Sequence, residues 1–484
     1  MSLPNLNTID NLGVDRWQQG ELVEVLITDL ADTGEGVGKL DNRVVFVPDT
    51  VTGDRAVVRL VRVKPEYAHG KLHNLLELSP DRIRPSCIVA DKCGGCQWQH
   101  IEYKYQLEAK RNQVIQAIER IGKINAPTVA PVLEASSSLG YRNKATYPLG
   151  ISASGNLQAG YYRKGTHQIV NLNQCPVQDD RLDPLLAEVK EDIQRRGWEV
   201  YNEEQTKQPQ VKKKVLNKKA PQKTTVVGKV RHLSLRIGRR TGEMLLTLVV
   251  TDWNLPEVKE QAIEWLNRYP QLVGVSLNNN PSNTNVIFGE ETRTIAGESY
   301  LTEKFADLQF QLRPDTFFQV YTEQAEALLQ VIVEKLELQG NEVLLDAYCG
   351  IGTFTLPLAK HVKQAIGLEI HAASIEQARL NAEINGITNA NFQVGAVEKL
   401  LPKLDIQPDI VLIDPPRKGC DRAVLNTLLE MQPRHIVYVS CKPATLARDL
   451  NILCTEGGYQ LTYVQPADFF PQTSHVESAA FLKL

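Results

Sequence analysis

From residue 343 onward the chain repeats one pattern: a short β-branched run, a polar residue or glycine turn at its end, then a helix-like stretch. Val343-Leu344-Leu345-Asp346 feeds the turn Ala347-Tyr348-Cys349-Gly350-Ile351-Gly352-Thr353-Phe354. Ile366-Gly367-Leu368 ends on Glu369, Ile410-Val411-Leu412-Ile413 on Asp414-Pro415-Pro416-Arg417, and Ile436-Val437-Tyr438-Val439 on Ser440-Cys441. Runs this short and this apolar read as strands buried on both faces. Strung together as βα units, they predict a doubly wound, Rossmann-like α/β sheet over residues 311–484. Ligands of such sheets collect beyond the carboxyl ends of the strands. Tyr348, Gly350, Gly352, Glu369, Asp414 and Cys441 all fall there.

The glycine turn narrows the ligand. A dinucleotide fingerprint wants a small residue at its third glycine position, where this chain has Thr355, which argues against NAD. An acid seventeen residues past Gly352, at Glu369, is placed for two ribose hydroxyls. Both features recur in S-adenosylmethionine sites. A lone cysteine is ordinarily a buried structural residue. Cys441 differs because its strand end shares an edge with those acids, where a thiol meets a substrate.

With 484 residues the chain predicts several domains, since single cores rarely grow beyond about 300 residues. Its formal charge of −3 announces no global affinity for nucleic acid. The start carries no leader pattern and no run is long enough to span a membrane. The expectation is a cytoplasmic, monomeric protein without membrane attachment. Eight cysteines, three of them clustered, fit metal binding or catalysis better than a disulfide framework.

After a polar lead, residues 18–80 read as a small β-barrel, with strands over 22–27, 43–47 and 55–63 separated by Gly34, Gly36, Gly38 and the Thr52-Gly53-Asp54 turn. Arg55, Arg59, Arg62, Lys64, His69 and Lys71 suit either an RNA-facing surface or an ordinary solvated face. Residues 81–310 read as a central α+β domain. It opens with Cys87, Cys93, Gly94, Gly95 and Cys96, a metal-type cluster for which Cys175 is the best fourth ligand. Tetrahedral zinc and an iron–sulfur cluster both fit that spacing. A helix over 101–122 is placed to pack on the catalytic domain. Two stretches, 139–145 and 160–167, mix aromatic with basic residues and suit either RNA stacking or a hairpin with a basic face. Over residues 201–240, twelve Lys and Arg face two acids. That composition predicts a disordered insertion at about 203–228.

Taken together, Phe317-Phe318-Gln319-Val320, Asp346 to Gly352, Asp414 to Arg417, Ser440 to Pro443 and His475-Val476-Glu477-Ser478 resemble the RNA 5-methyluridine methyltransferases. The barrel resembles a TRAM module, and the four cysteines point within the family to the 23S ribosomal RNA uracil-5 type. The resemblance implies a class I methyltransferase fold, a [4Fe-4S] cluster on Cys87, Cys93, Cys96 and Cys175, and S-adenosylmethionine contacts at Gln319, Tyr348, Glu369 and Asp414, with orientation of the base by Gln319 and contact of Asp414 with uracil as the alternatives. It also implies Cys441 as nucleophile, Glu477 as general base, and 23S rRNA with a flipped uridine as partner. The insertion and Thr353, where an Asn is sometimes found, depart from the pattern. Three alternatives stand beside it: a transfer-RNA uracil methyltransferase, a non-catalytic RNA-binding or ribosome assembly factor, and an N- or O-directed methyltransferase, whose chemistry needs no thiol.

Overall fold

A computed structural model describes residues 17–201 and 228–484; the expected insertion lies almost wholly outside them. The chain divides into two compact units, one running to Arg84 and taking in His100–Glu102, the other comprising Pro85–Gln99 and Tyr103–Leu484. The first is a closed barrel of β1 (Leu22–Leu30), β2 (Gly36–Leu40), β3 (Arg43–Val47), β4 (Arg55–Val63) and β5 (Tyr67–Glu77), joined in the order β1-β2-β3-β5-β4. Alternate residues such as Val45, Val47, Val58 and Leu60 fill its interior. Gly36 and Gly38, expected only as separators, are strand residues. A Cβ on Gly36 would lie 2.0 Å from Thr50 Oγ1 and one on Gly38 2.2 Å from Val25 Cγ1, so closure of this narrow barrel demands glycine there.

The second unit holds two seven-stranded sheets. The central one uses β6 (Lys144–Ile151), β7 (Leu157–Tyr162), β8 (Ile169–Asn171), β9 (Val230–Ile237), β10 (Met244–Val250), β11 (Leu272–Asn279) and β12 (Glu291–Gly297), in the order β12-β11-β10-β9-β6-β7-β8. Helices Asp183–Arg195 and Val258–Arg268 bury Leu185, Leu186, Val189, Ala262 and Trp265 in the core of this region. A hairpin, β13 (Leu301–Phe305) and β14 (Leu308–Leu312), leads to the catalytic sheet.

That sheet contains β15 (Val343–Ala347), β16 (Gln364–Glu369), β17 (Ala390–Val394), β18 (Ile410–Ile413), β19 (His435–Ser440), β20 (Gln460–Ala467) and β21 (Glu477–Lys483), in the order β17-β16-β15-β18-β19-β21-β20. The first five are parallel, as the apolar runs predict. β21 then inserts antiparallel between β19 and β20. The insertion is visible only in the structure, and it carries the chain's end back to the strand that precedes Cys441. The expected helix over 101–122 is observed as Tyr103–Arg120, burying Val114 and Ile118 in the core of this sheet. Among the described residues no helix is long and apolar enough to cross a membrane.

Candidate active site and cysteine pocket

β19 and β21 pair as far as Ser440 opposite Ser478. One residue further on, Cys441 and Glu477 leave adjacent strands at the same edge. Isolated in sequence, Glu477 reads as a surface carboxylate near the chain end; in the fold it is only 5% exposed. Cys441 lies in the turn before helix Pro443–Gly457. The Ser440 hydroxyl accepts from Lys442 N at 3.1 Å, fixing that turn, and proline at the first helical position suits its start.

Asp414-Pro415-Pro416-Arg417 follows β18 and is tied to the same helix. Thr445 Oγ1 donates to Arg417 O at 3.4 Å, Arg448 to Lys418 O at 3.1 Å, and Cys420 N to Asp449 Oδ2 at 2.9 Å. Tyr438, on the strand that leads into Cys441, donates to the same Asp449 oxygen at 2.6 Å. The acid motif and the thiol are therefore held by one helix.

The electrostatics of this edge are unusual. Burial pushes the Cys441 thiol up to about 11, reinforced by the charges of Glu477 and Asp414 and opposed by Arg417. Glu477 is raised well above the carboxylate range by burial and by Asp414, again with Arg417 opposing. Asp414 rises to about 7 through burial and the charge of Asp346. Asp346, on β15, also rises to about 7, chiefly by burial; Thr355 Oγ1 donates to its Oδ2, while its buried Oδ1 has no partner among the described residues. Arg417 thus serves both Cys441 and Glu477. Motif matching alone gives Arg417 no role, although a cation directly after Asp-Pro-Pro at a strand end is a signal for one.

The glycine turn sits beside these acids. Tyr348, Gly350 and Gly352 have φ of 88°, 55° and 83°, the left-handed region that a non-glycine residue enters only under constraint. Tyr348 N and Cys349 N both donate to Leu368 O at 2.9 Å, which fixes the strained turn against β16. A Cβ on Gly350 would meet nothing within 4 Å, so the loop leaves open space there. Glu369 ends β16 and accepts from His371 N at 2.8 Å.

Two further segments frame the edge. Gln319 is buried; its carbonyl accepts from Asn143 Nδ2 at 2.8 Å, and Asn143 N donates to Val320 O at 2.9 Å. Tyr141 stacks on Tyr321 with centroids 4.9 Å apart and donates to Pro471 O at 3.1 Å. In the 139–145 stretch, Tyr141 and Asn143 therefore point inward and hold active-site loops. The loop before Glu477 is braced by helix Tyr103–Arg120: Lys110 Nζ reaches Asp468 Oδ1 at 2.6 Å and Phe470 O at 3.1 Å, and Gln106 and Gln472 exchange hydrogen bonds of 3.1 and 3.0 Å.

Cys87, Cys93, Cys96 and Cys175 line one cavity of about 150 Å³, together with Gln99, Arg142, Tyr161 and Gln174. All four are free thiols. Burial raises Cys93, and raises Cys96 and Cys175 to about 11 and about 12, with the neighbouring thiolates adding to each. Among the described residues no group of three or more His, Cys, Asp or Glu side chains is gathered to hold a single metal ion. On the barrel, Arg55 pairs with Glu24 and Glu77, and Arg59 donates to Gly20 O, so these two cations are engaged within the fold.

Residues 237–484 match the tRNA (Uracil-5-)-methyltransferase family, and residues 16–73 match the TRAM domain. The chain belongs to the tRNA (uracil-5-)-methyltransferase family. An uncharacterized RNA methyltransferase of Nostoc sp. is 67% identical to this methyltransferase, with 97% of each chain covered. One from Synechocystis sp. is 56% identical, with 96% of each covered. Among solved structures, the Pyrococcus abyssi tRNA (uracil-54, C5)-methyltransferase in complex with S-adenosyl-L-homocysteine aligns with a TM-score of 0.73 and 28% identity, covering 95% of this chain and 100% of that one. Membership accounts for the catalytic sheet and the barrel. It also sets aside the reading of the chain as a mere assembly factor.

Proposed function

We propose that this methyltransferase converts a uridine of 23S rRNA to 5-methyluridine, with S-adenosylmethionine as methyl donor. The observation that carries the reading is the meeting of Cys441, Glu477 and Arg417 at one sheet edge. Uracil C5 is a poor nucleophile until a thiolate adds to C6 and makes the ring an enolate. Cys441 Sγ forms that bond, and the helix following it favours the thiolate through its N-terminal dipole. S-adenosylmethionine fits beside Tyr348, Gly350, Gly352, Glu369, Asp414 and Gln319, and supplies an electrophilic methyl group for C5. The open glycine turn and the unpartnered buried oxygen of Asp346 suit a cationic, hydroxyl-bearing ligand. Glu477 takes the proton from C5, and elimination restores C5=C6 and frees the thiolate. Because a base inside a stack cannot reach a thiol at a sheet edge, the uridine is bound flipped out.

The four cysteines fit a [4Fe-4S] centre. Thiols spread around one cavity, rather than drawn onto one point, suit a polynuclear group better than zinc. Such a centre, held by Cys87, Cys93, Cys96 and Cys175, would supply a rigid cross-link between the 87–96 loop and Cys175, with no part in methyl transfer.

A second reading is a transfer-RNA uridine as substrate. It is favoured by the alignment with the archaeal transfer-RNA enzyme, which covers 95% of this chain, so possession of a barrel does not separate the two. RNA containing 5-fluorouracil, incubated with enzyme and methyl donor, should become covalently attached to Cys441; no adduct would sink the mechanism. Mapping 5-methyluridine in both RNA classes from a deletion strain decides the substrate.

A further inference from the structure

The interior of the second unit contains a cation that the mechanism does not use. Arg142 lines the cavity of the four cysteines. Its backbone is fixed by Arg142 N donating to Val177 O at 3.0 Å and Asp179 N donating to Arg142 O at 3.1 Å. Its Nε is buried and has no hydrogen-bond partner among the described residues.

A buried guanidinium needs a negative partner, and leaving one uncompensated costs several kcal/mol. The nearby carboxylate of Asp179, four residues before the helix that starts at Asp183, is otherwise engaged, accepting from Arg181 and Arg239. Arg142 shares its cavity with the four thiols. Four thiolates outweigh the positive charge of an iron–sulfur core and leave the centre anionic, more so once it accepts an electron. We propose that Arg142 is the buried counter-cation of the centre held by Cys87, Cys93, Cys96 and Cys175, and that it sets the reduction potential of that centre. This rests on the cluster reading above and goes beyond it, since a purely structural centre needs no tuned potential. Arg142 is a positioning residue, acting through the centre and not on RNA.

The test uses full-length protein purified without oxygen: the parent, Arg142→Gln and Arg142→Lys, each assayed for iron and sulfide and titrated reductively with dithionite under a visible spectrum. Removing the charge in Arg142→Gln should disfavour the reduced state roughly tenfold, lowering the midpoint by about 59 mV for one electron. Arg142→Lys should stay within about threefold of the parent. An Arg142→Gln protein with parental iron content and an unmoved midpoint overturns the inference while leaving the cluster intact. Zinc in place of iron and sulfide in the parent overturns the cluster reading, and the inference with it. Should Arg142→Gln fail to fold, the neutral Arg142→Met takes its place: a midpoint lowered roughly tenfold supports the inference, and an unmoved one overturns it.

Discussion

Asp179 in the central region and the acids of the catalytic edge are displaced in opposite directions. Asp179 accepts from Arg181 at 2.8 and 2.7 Å and from Arg239 at 2.6 Å; burial opposes, but these partners hold its carboxyl below the usual range. Asp192 is likewise satisfied, by Trp265 Nε1 at 2.7 Å and Arg268 at 3.0 Å. At the catalytic edge, Asp346 and Glu477 are buried and Asp414 is half-buried, all three under-partnered, and all three are raised. A fold that meant these acids for stability would have paired them. Left as they are, they hold capacity for a ligand, which is how perturbed groups in a cleft mark function.

The sharpest break of this comparison is at the thiol. Cys441→Ala should lower methyl transfer to RNA by roughly four orders of magnitude or more, while calorimetry shows S-adenosylmethionine still binding; normal turnover would remove Cys441 from the chemistry. Glu477→Gln should slow turnover by about 10²–10⁴ and accumulate protein covalently bound to RNA on a denaturing gel. No accumulation would make Glu477 a structural acid after all. A direct contrast of the two regions comes next. Asp179→Asn discards charge-assisted bonds and should cost about 1–2 kcal/mol at pH 8, allowing for the exposure of Arg181. Asp346 has the opposite sign. With its folded pKa near 7 against 3.8 for the free side chain, its contribution is fully present below about pH 3.8 and is lost as pH rises through 7. Asp346→Asn should therefore melt no lower than the parent at pH 8. Equal losses in the two variants would erase the distinction.

The parts that were legible in the sequence are those with local periodicity. Residues 343–346, 410–413 and 436–439 are short and apolar, and each proved to be a parallel strand with its candidate site residue at or just past the carboxyl end. What stayed hidden depends on pairing across long separations. Nothing local to Glu477 tells that residues 477–483 slot between strands at 435–440 and 460–467 and carry that acid to Cys441. The 36–40 strand was masked because glycine, a turn residue by habit, is there for close approach. Arg142 and Tyr141 have the composition of an RNA-binding surface, and only packing reveals that they serve the interior.

Arg417 supplies the finest test, because its charge opposes the rise of both Cys441 and Glu477. Cys441 must be a thiolate to add to uracil, and Glu477 must be ionised to take the C5 proton. Removing a positive charge beside both makes each hold its proton to higher pH. In Arg417→Gln the rising limb of kcat/KM against pH should therefore move upward, with a loss of roughly tenfold at pH 7 for each unit of displacement. The alkaline plateau should approach that of the parent. Arg417→Lys keeps the charge and should restore most of the limb's position. A loss of the same size at every pH would instead mean that Arg417 merely grips an RNA phosphate, and the raised acids of this edge would then owe their poise to burial and to one another's charge.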